Sequence, residues 1–231
     1  MSASSPHIRS VGLPPERHAD RVVAEMMREV AKTHFMLWET IKEVIAASRG
    51  GSPKAQRKLA ERILRAGAIH TKLWPGKRGK YEILIYDFTG FDPSRDAEIG
   101  PDDPIPEKPW IACNLSMLES QGGGRNMVEV NSRPVLFITH HAMSRVAQRL
   151  GMRTSEHLMA SARIIWNGCL TLLNDTADEN AWLKAPPDGW RVPIPPMEDA
   201  LVVLKRHEKR QALVATTVIR IKTHGLRNTR R

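Results

Sequence analysis

From Glu16 to Ser48, apolar positions recur at intervals of three and four: Val23, Met27, Val30, His34, Leu37, Ile41 and Val44, with Met26, Trp38 and Ile45 widening the stripe. That spacing keeps one face of a helix apolar, so the segment is expected to pack on the body of the protein or to pair with another chain. His34 falls inside the stripe and reads as a packed, hydrogen-bonded histidine rather than a catalyst. Gly50-Gly51-Ser52-Pro53 then breaks the helix, and Pro53 suits the first turn of the next. Lys54 to Ala66 makes a basic second helix that stops at Gly67, so the chain opens with a helical hairpin.

The pattern changes period at Tyr81. Tyr81 to Phe88 is rich in β-branched and aromatic residues, and Trp110 to Met117 repeats that character. Short strands are expected at 126–131 and 134–139, after a glycine-rich turn at Gly122-Gly123-Gly124. Two helical segments follow, the second started by Thr154 as N-cap and carrying Leu158, Ala162, Ile165, Trp166, Cys169, Leu172 and Leu173 on a broad apolar face. Strands are expected again at Trp182 to Lys184, Trp190 to Ile194, Ala200 to Leu204 and Ala212 to Ile221. The order predicts an α+β fold: an antiparallel β-sheet with helices packed on one face, preceded by the N-terminal helical hairpin. By residue, this gives a helical region at 1–76, an α+β domain at 77–222 and a basic tail at 223–231.

One segment carries chemistry. In Thr139-His140-His141-Ala142-Met143-Ser144-Arg145-Val146-Ala147-Gln148-Arg149, Arg145, Gln148 and Arg149 lie about 40°, −20° and 80° from His141 around a helix axis. Ala142, Met143, Val146, Ala147 and Leu150 fall on the opposite, apolar side. An imidazole titrates near neutrality and moves protons, while guanidinium groups hold phosphate oxygens and stabilise developing negative charge. The face therefore suits an anionic ligand, and it equally fits a solvated basic helix surface.

Charge narrows the partner class. The 231 residues include 35 Lys+Arg against 25 Asp+Glu, a net charge of +10, which favours a polyanion such as nucleic acid. The charge comes in blocks: nine Lys/Arg and one Glu at 53–80, eight Asp/Glu and one Arg at 82–107, then nine Lys/Arg and one Glu at 203–231. Lys205, Arg206, Lys209 and Arg210 surround His207 at the expected hairpin tip and, with His140 of the His/Arg segment, are candidate nucleic-acid contacts. Asp92, Ser94, Asp96 and Asp103 fall at some offsets of a calcium loop, but Ala97 and Asp103 stand where that loop needs Gly and Glu. An acidic surface loop is the better reading, and no metal or cofactor is expected. Cys113 and Cys169 are isolated, with no ligand spacing around them, which points to a reducing, cytoplasmic setting. Neither a cleavable leader nor a membrane-spanning run stands out.

The segment T-x-H-A-x-x-R-x-x-x-R at Thr139 to Arg149, with the late strand Val214-Ala215-Thr216-Thr217-Val218-Ile219, resembles the RelE/BrnT-like ribonuclease toxins, whose related domains carry S-x-H-A-x-x-R and V-x-T-V. The resemblance covers residues 134–150 and 200–219, with Thr139 in place of the Ser. It implies a small antiparallel sheet with helices on one face and metal-independent RNA cleavage. By that resemblance His141 is an acid/base candidate, Arg145 and Arg149 bind phosphate, and Thr217 lies near the site. Three functions follow as expectations: a metal-independent endoribonuclease, a nucleic-acid-binding protein without catalysis (RNA before DNA in both), or an interaction protein that dimerises or docks through its first helix.

Overall fold

A computed structural model describes residues 16–47, 53–75, 81–93, 108–120, 127–172, 189–194 and 197–220, together with Leu183 and Pro186. The elements are α1 (Glu16–Ala47), α2 (Pro53–Arg65), β1 (His70–Pro75), β2 (Tyr81–Phe91), β3 (Trp110–Ser120), β4 (Met127–Ile138), α3 (His140–Arg149), α4 (Ser155–Leu172), β5 (Trp190–Ile194), β6 (Met197–His207) and β7 (Ala212–Arg220). The protein has the α+β class expected from the pattern, with both hairpin helices in place.

The seven strands form one sheet in the order β1-β2-β3-β4-β7-β6-β5. All neighbours are antiparallel except β4 and β7, which pair in parallel through Leu136 and Leu213, Phe137 and Val214, and Ile138 and Ala215. A parallel pair needs a long crossover. Here α3, α4, β5 and β6 lie between the two strands in sequence.

Strand alternation separates the packing into two main clusters. Leu84, Tyr86 and Phe88 of β2 join the larger one, with Val23, Met26 and Val30 of α1, Met143 and Val146 of α3, and Ile165 and Trp166 of α4. Ile83 and Ile85, on the opposite face of β2, join Leu37, Ile41 and Val44 of α1 and Ile63 of α2. The first half of α1 thus shares a face of the sheet with α3 and α4, while its second half and α2 cover the other face near β1. Trp166 is fully buried with its ring tilted against Tyr86 at 4.8 Å, and Cys169 is buried in the same cluster. Burial pushes the thiols of both Cys113 and Cys169 well above the ordinary range, so they behave as small apolar side chains.

The strand expectations change in three places. The sheet begins at His70 rather than Tyr81, because Ile69 donates its backbone N–H to Tyr86 and the next six residues pair with β2. The strands expected at 126–131 and 134–139 are one continuous strand, whose register shifts opposite Asn114 and Leu115 absorb Pro134. Of the expected strand at Trp182 to Lys184, only Leu183 is among the described residues, and it is not in a strand. The acidic loop at 94–107, the glycine turn at 121–126 and the tail from 221 lie outside the described residues.

Candidate active site at the start of helix α3

Thr139 caps α3. Its side chain accepts from the Ala142 N–H at 3.1 Å, and its hydroxyl donates to the carbonyl oxygens of Ala215 at 3.1 Å and Thr216 at 3.3 Å. The Thr139 N–H also donates to Ala215, so the end of β4 and the middle of β7 fix the first turn of the helix. The N–H groups of a first turn have no intrahelical acceptor, and the turn carries the positive end of the helix dipole. Here those positions are held by His140 and His141.

Around that turn lies a cavity of 450 Å³ lined by His140, His141, Thr139, Ser144, Thr216, Lys108, Trp110, Asp20 and Glu16. Lys108 donates to Asp20 Oδ2 at 2.9 Å, and Ser144 donates its hydroxyl proton to Asp20 Oδ1 at 3.2 Å. Ser144 Oγ is also 3.2 Å from His140 Nδ1. With the Ser144 proton directed to Asp20, Nδ1 is the donor in that contact. His140 Nε2 is then left as the basic nitrogen, 3.8 Å from Asp20 Oδ1.

Electrostatics favour the neutral imidazole at that position. Burial pulls the His140 pKa below the ordinary value, and the charges of Lys108 and His141 lower it further while Asp20 opposes them. Asp20 is itself held below the usual carboxylate value, foremost by the hydrogen bond from Lys108 and against a partial burial that raises it. His140 is therefore an unprotonated base near neutral pH. His141 stands exposed at the rim.

The remaining sequence candidates scatter. Arg145 donates to Gln148 at 3.0 Å, and Arg149 donates to the Val218 carbonyl on β7. Neither guanidinium lines the cavity. Thr216 lines it and Thr217 does not, because the register shift between Val203 and Leu204 leaves Thr216 as the extra residue of β7. In the β6–β7 hairpin, Lys205 and His207 pair with Val214 and Ala212, which pack with Phe137 away from α3, whereas Arg206 pairs with Leu213 of the α3 side. Arg206 donates to the Leu183 carbonyl at 2.6 Å, and Lys209 is exposed in the turn. The side chain of Arg210 lies outside the described residues.

Asp20, Lys108, Ser144 and Thr216 are the members that the sequence reading missed. Asp20 and Lys108 reach the site from 120 and 32 residues before His140, and no local signal marks either. Ser144 was visible as a polar residue next to the apolar side of α3, and its burial is the clue to a buried partner. Among the described residues no group of three His, Cys, Asp or Glu side chains is arranged to hold a metal ion, and no helix is long and apolar enough to cross a membrane. Comparison with protein-family models, with curated proteins and with solved structures finds no match for the chain.

Proposed function

We propose that the protein binds RNA through the α3 cavity and cleaves it there without a metal ion. The observation that carries this reading is the pairing of two imidazoles at a helix start: His140, half-buried with Nε2 3.8 Å from Asp20 Oδ1, and His141 at the exposed rim. A phosphate seated at the first-turn N–H groups would lie between them. In the proposed reaction His140 Nε2 takes the proton from a ribose 2′-hydroxyl, and the 2′-oxygen attacks the adjacent phosphorus. The bond to the 5′-oxygen breaks, and that oxygen receives a proton from protonated His141. The products are a 2′,3′-cyclic phosphate and a free 5′-hydroxyl. Lys108 and the helix dipole stabilise the added negative charge, taking the role that the sequence pattern suggested for Arg145 and Arg149.

A net charge of +10 supports a polyanionic substrate, and the similarity to RelE/BrnT-like toxins supports RNA. A second reading, RNA binding without cleavage, is favoured by the engagement of Arg145 with Gln148 and of Arg149 with Val218. A role in protein association is favoured by Phe35 and Met36, 66% and 54% exposed on α1. The test uses an end-labelled RNA and a DNA of the same sequence, each with the protein in EDTA. Cleavage of the RNA alone, with a cyclic phosphate end, is expected. Binding of both with no cleavage of either supports the second reading.

A further inference from the structure

A larger cavity, of 520 Å³, lies between α1, α4 and the part of β2 beyond the end of β1. Its floor carries an ion-pair geometry that the α3 site does not use. His34 Nδ1 sits 2.6 Å from Oδ2 of Asp87, whose side chain is only 2% exposed. Asp87 Oδ1 is buried and has no hydrogen-bond partner among the described residues. A buried carboxylate oxygen left unpaired is costly, and a donor supplied by a ligand removes that cost.

We infer that this cavity is a binding site for a small organic cation with an apolar body, its charged head on Asp87 Oδ1. Asp87, Glu29 and Glu156 line it against the single fixed cation Arg163, so it is an acidic pocket in a strongly basic protein. Val30, Leu37, Ile69, Phe88, Met159 and Ile164 provide apolar walls for the body of the ligand. The volume falls within the roughly 300–1,000 Å³ of ordinary small-molecule pockets, which combine apolar lining with a few fixed polar groups. Gly67 lets α1 approach closely at one wall: its φ of +122° and the Thr33 methyl, 2.4 Å from where a Cβ would stand, both exclude a side chain. The inference is independent of the RNA reading, since no residue lines both cavities.

Calorimetric titration of the full-length protein with 2-phenylethylammonium, 2-phenylethanol and 3-phenylpropionate tests the charge and the place together. The cation is expected to bind, the alcohol to bind at least tenfold more weakly, and the anion not at all. Asp87→Asn is expected to weaken the cation about tenfold or more, the loss typical of a charged hydrogen bond. Ala160→Trp, at an exposed lining position on α4, blocks the cavity without touching the buried pair and is expected to abolish binding. Undiminished binding in a folded Ala160→Trp protein overturns the inference. So does equal binding of the anion, or no binding of the cation to the folded wild type.

Discussion

Two histidine–aspartate pairs hang from the same helix, and their surroundings set them to different tasks. At the start of α1, Asp20 is 38% exposed and shares its oxygens between Lys108 and Ser144, with His140 Nε2 held 3.8 Å away. Further along α1, His34 contacts Asp87 directly at 2.6 Å, and that carboxylate is nearly sealed from solvent, with one oxygen unpaired among the described residues. The first pair has its charge balanced by a lysine and leaves an imidazole nitrogen free to take a proton. The second has a carboxylate in need of a donor. Identical residue types thus give a base in one cavity and a cation receptor in the other, because the neighbours, not the pair, decide which atom is left over.

The two regions also differ in how tightly the backbone is committed, and the largest stability effect follows from that. Gly67→Ala, at the wall of the cavity beside Asp87, meets both the strained φ and the Thr33 methyl, and is expected to destabilise the fold by about 2–4 kcal/mol. Gly151→Ala, just after α3, has a φ of +65° and nothing within 4 Å, so only about 1 kcal/mol is expected. Chemical denaturation of the two variants measures the contrast, and equal losses would break it.

A smaller loss is expected at the cap of the α3 site. Thr139→Ala removes the side-chain acceptor for Ala142 and the hydroxyl bonds to β7, and should cost about 1–2 kcal/mol in the same measurement. Next comes Lys108→Ala, which removes a charge that depresses His140 and the strongest hydrogen bond that holds Asp20 low. Nuclear magnetic resonance titration should show the His140 pKa rising in this variant, and RNA binding should lose about one unit of its salt slope. An unchanged salt slope would remove Lys108 from the phosphate contact. The smallest effect is expected from Glu16→Gln, which takes an exposed carboxylate off the cavity rim and should tighten RNA only a few-fold.

The pH dependence reports on the pair at the α3 site. His140 has its pKa lowered by folding, so its contribution to stability is complete above the unfolded value near 6.5 and declines as pH falls toward the lower folded value. Asp20 has the same sign, with loss beginning only below its ordinary 3.8. His140→Ala should therefore flatten the upper part of the acid limb in a stability–pH profile and leave the lower part in place. A wild-type profile that steepens instead as pH rises above 6.5 would contradict the assignment.

Local periodicity accounts for what the sequence disclosed. The apolar stripe of α1, the buried side of α3 and the strand starts near Trp110 and Trp190 are all set by neighbours within a few residues. The helix wheel also put His141 on an outward face, where it stands. The wheel leaves His140, about 100° away, as a nucleic-acid contact without a partner, since the group facing it is Asp20 on a distant helix. Arg149 looked free for the same reason: its acceptor is the Val218 carbonyl, 69 residues later on a strand placed by the parallel β4–β7 pairing. The cations of the 205–210 hairpin form one block in sequence, yet strand alternation sends Lys205 and Arg206 to opposite faces. His34 was read correctly as packed and hydrogen-bonded, but its partner Asp87, 53 residues away, came from a β-strand whose apolar run concealed a buried acid.

The central claim is that the His140 and His141 side chains perform acid–base chemistry on RNA at the start of α3. Single-turnover cleavage of an end-labelled RNA in EDTA, by wild type, His140→Ala and His141→Ala proteins with matched circular dichroism, addresses it directly. Each substitution should slow cleavage by about 10²–10⁴-fold while leaving RNA affinity within a few-fold of wild type. Cleavage at the wild-type rate in either folded variant, or none by the wild type on RNA that it binds, would contradict the claim.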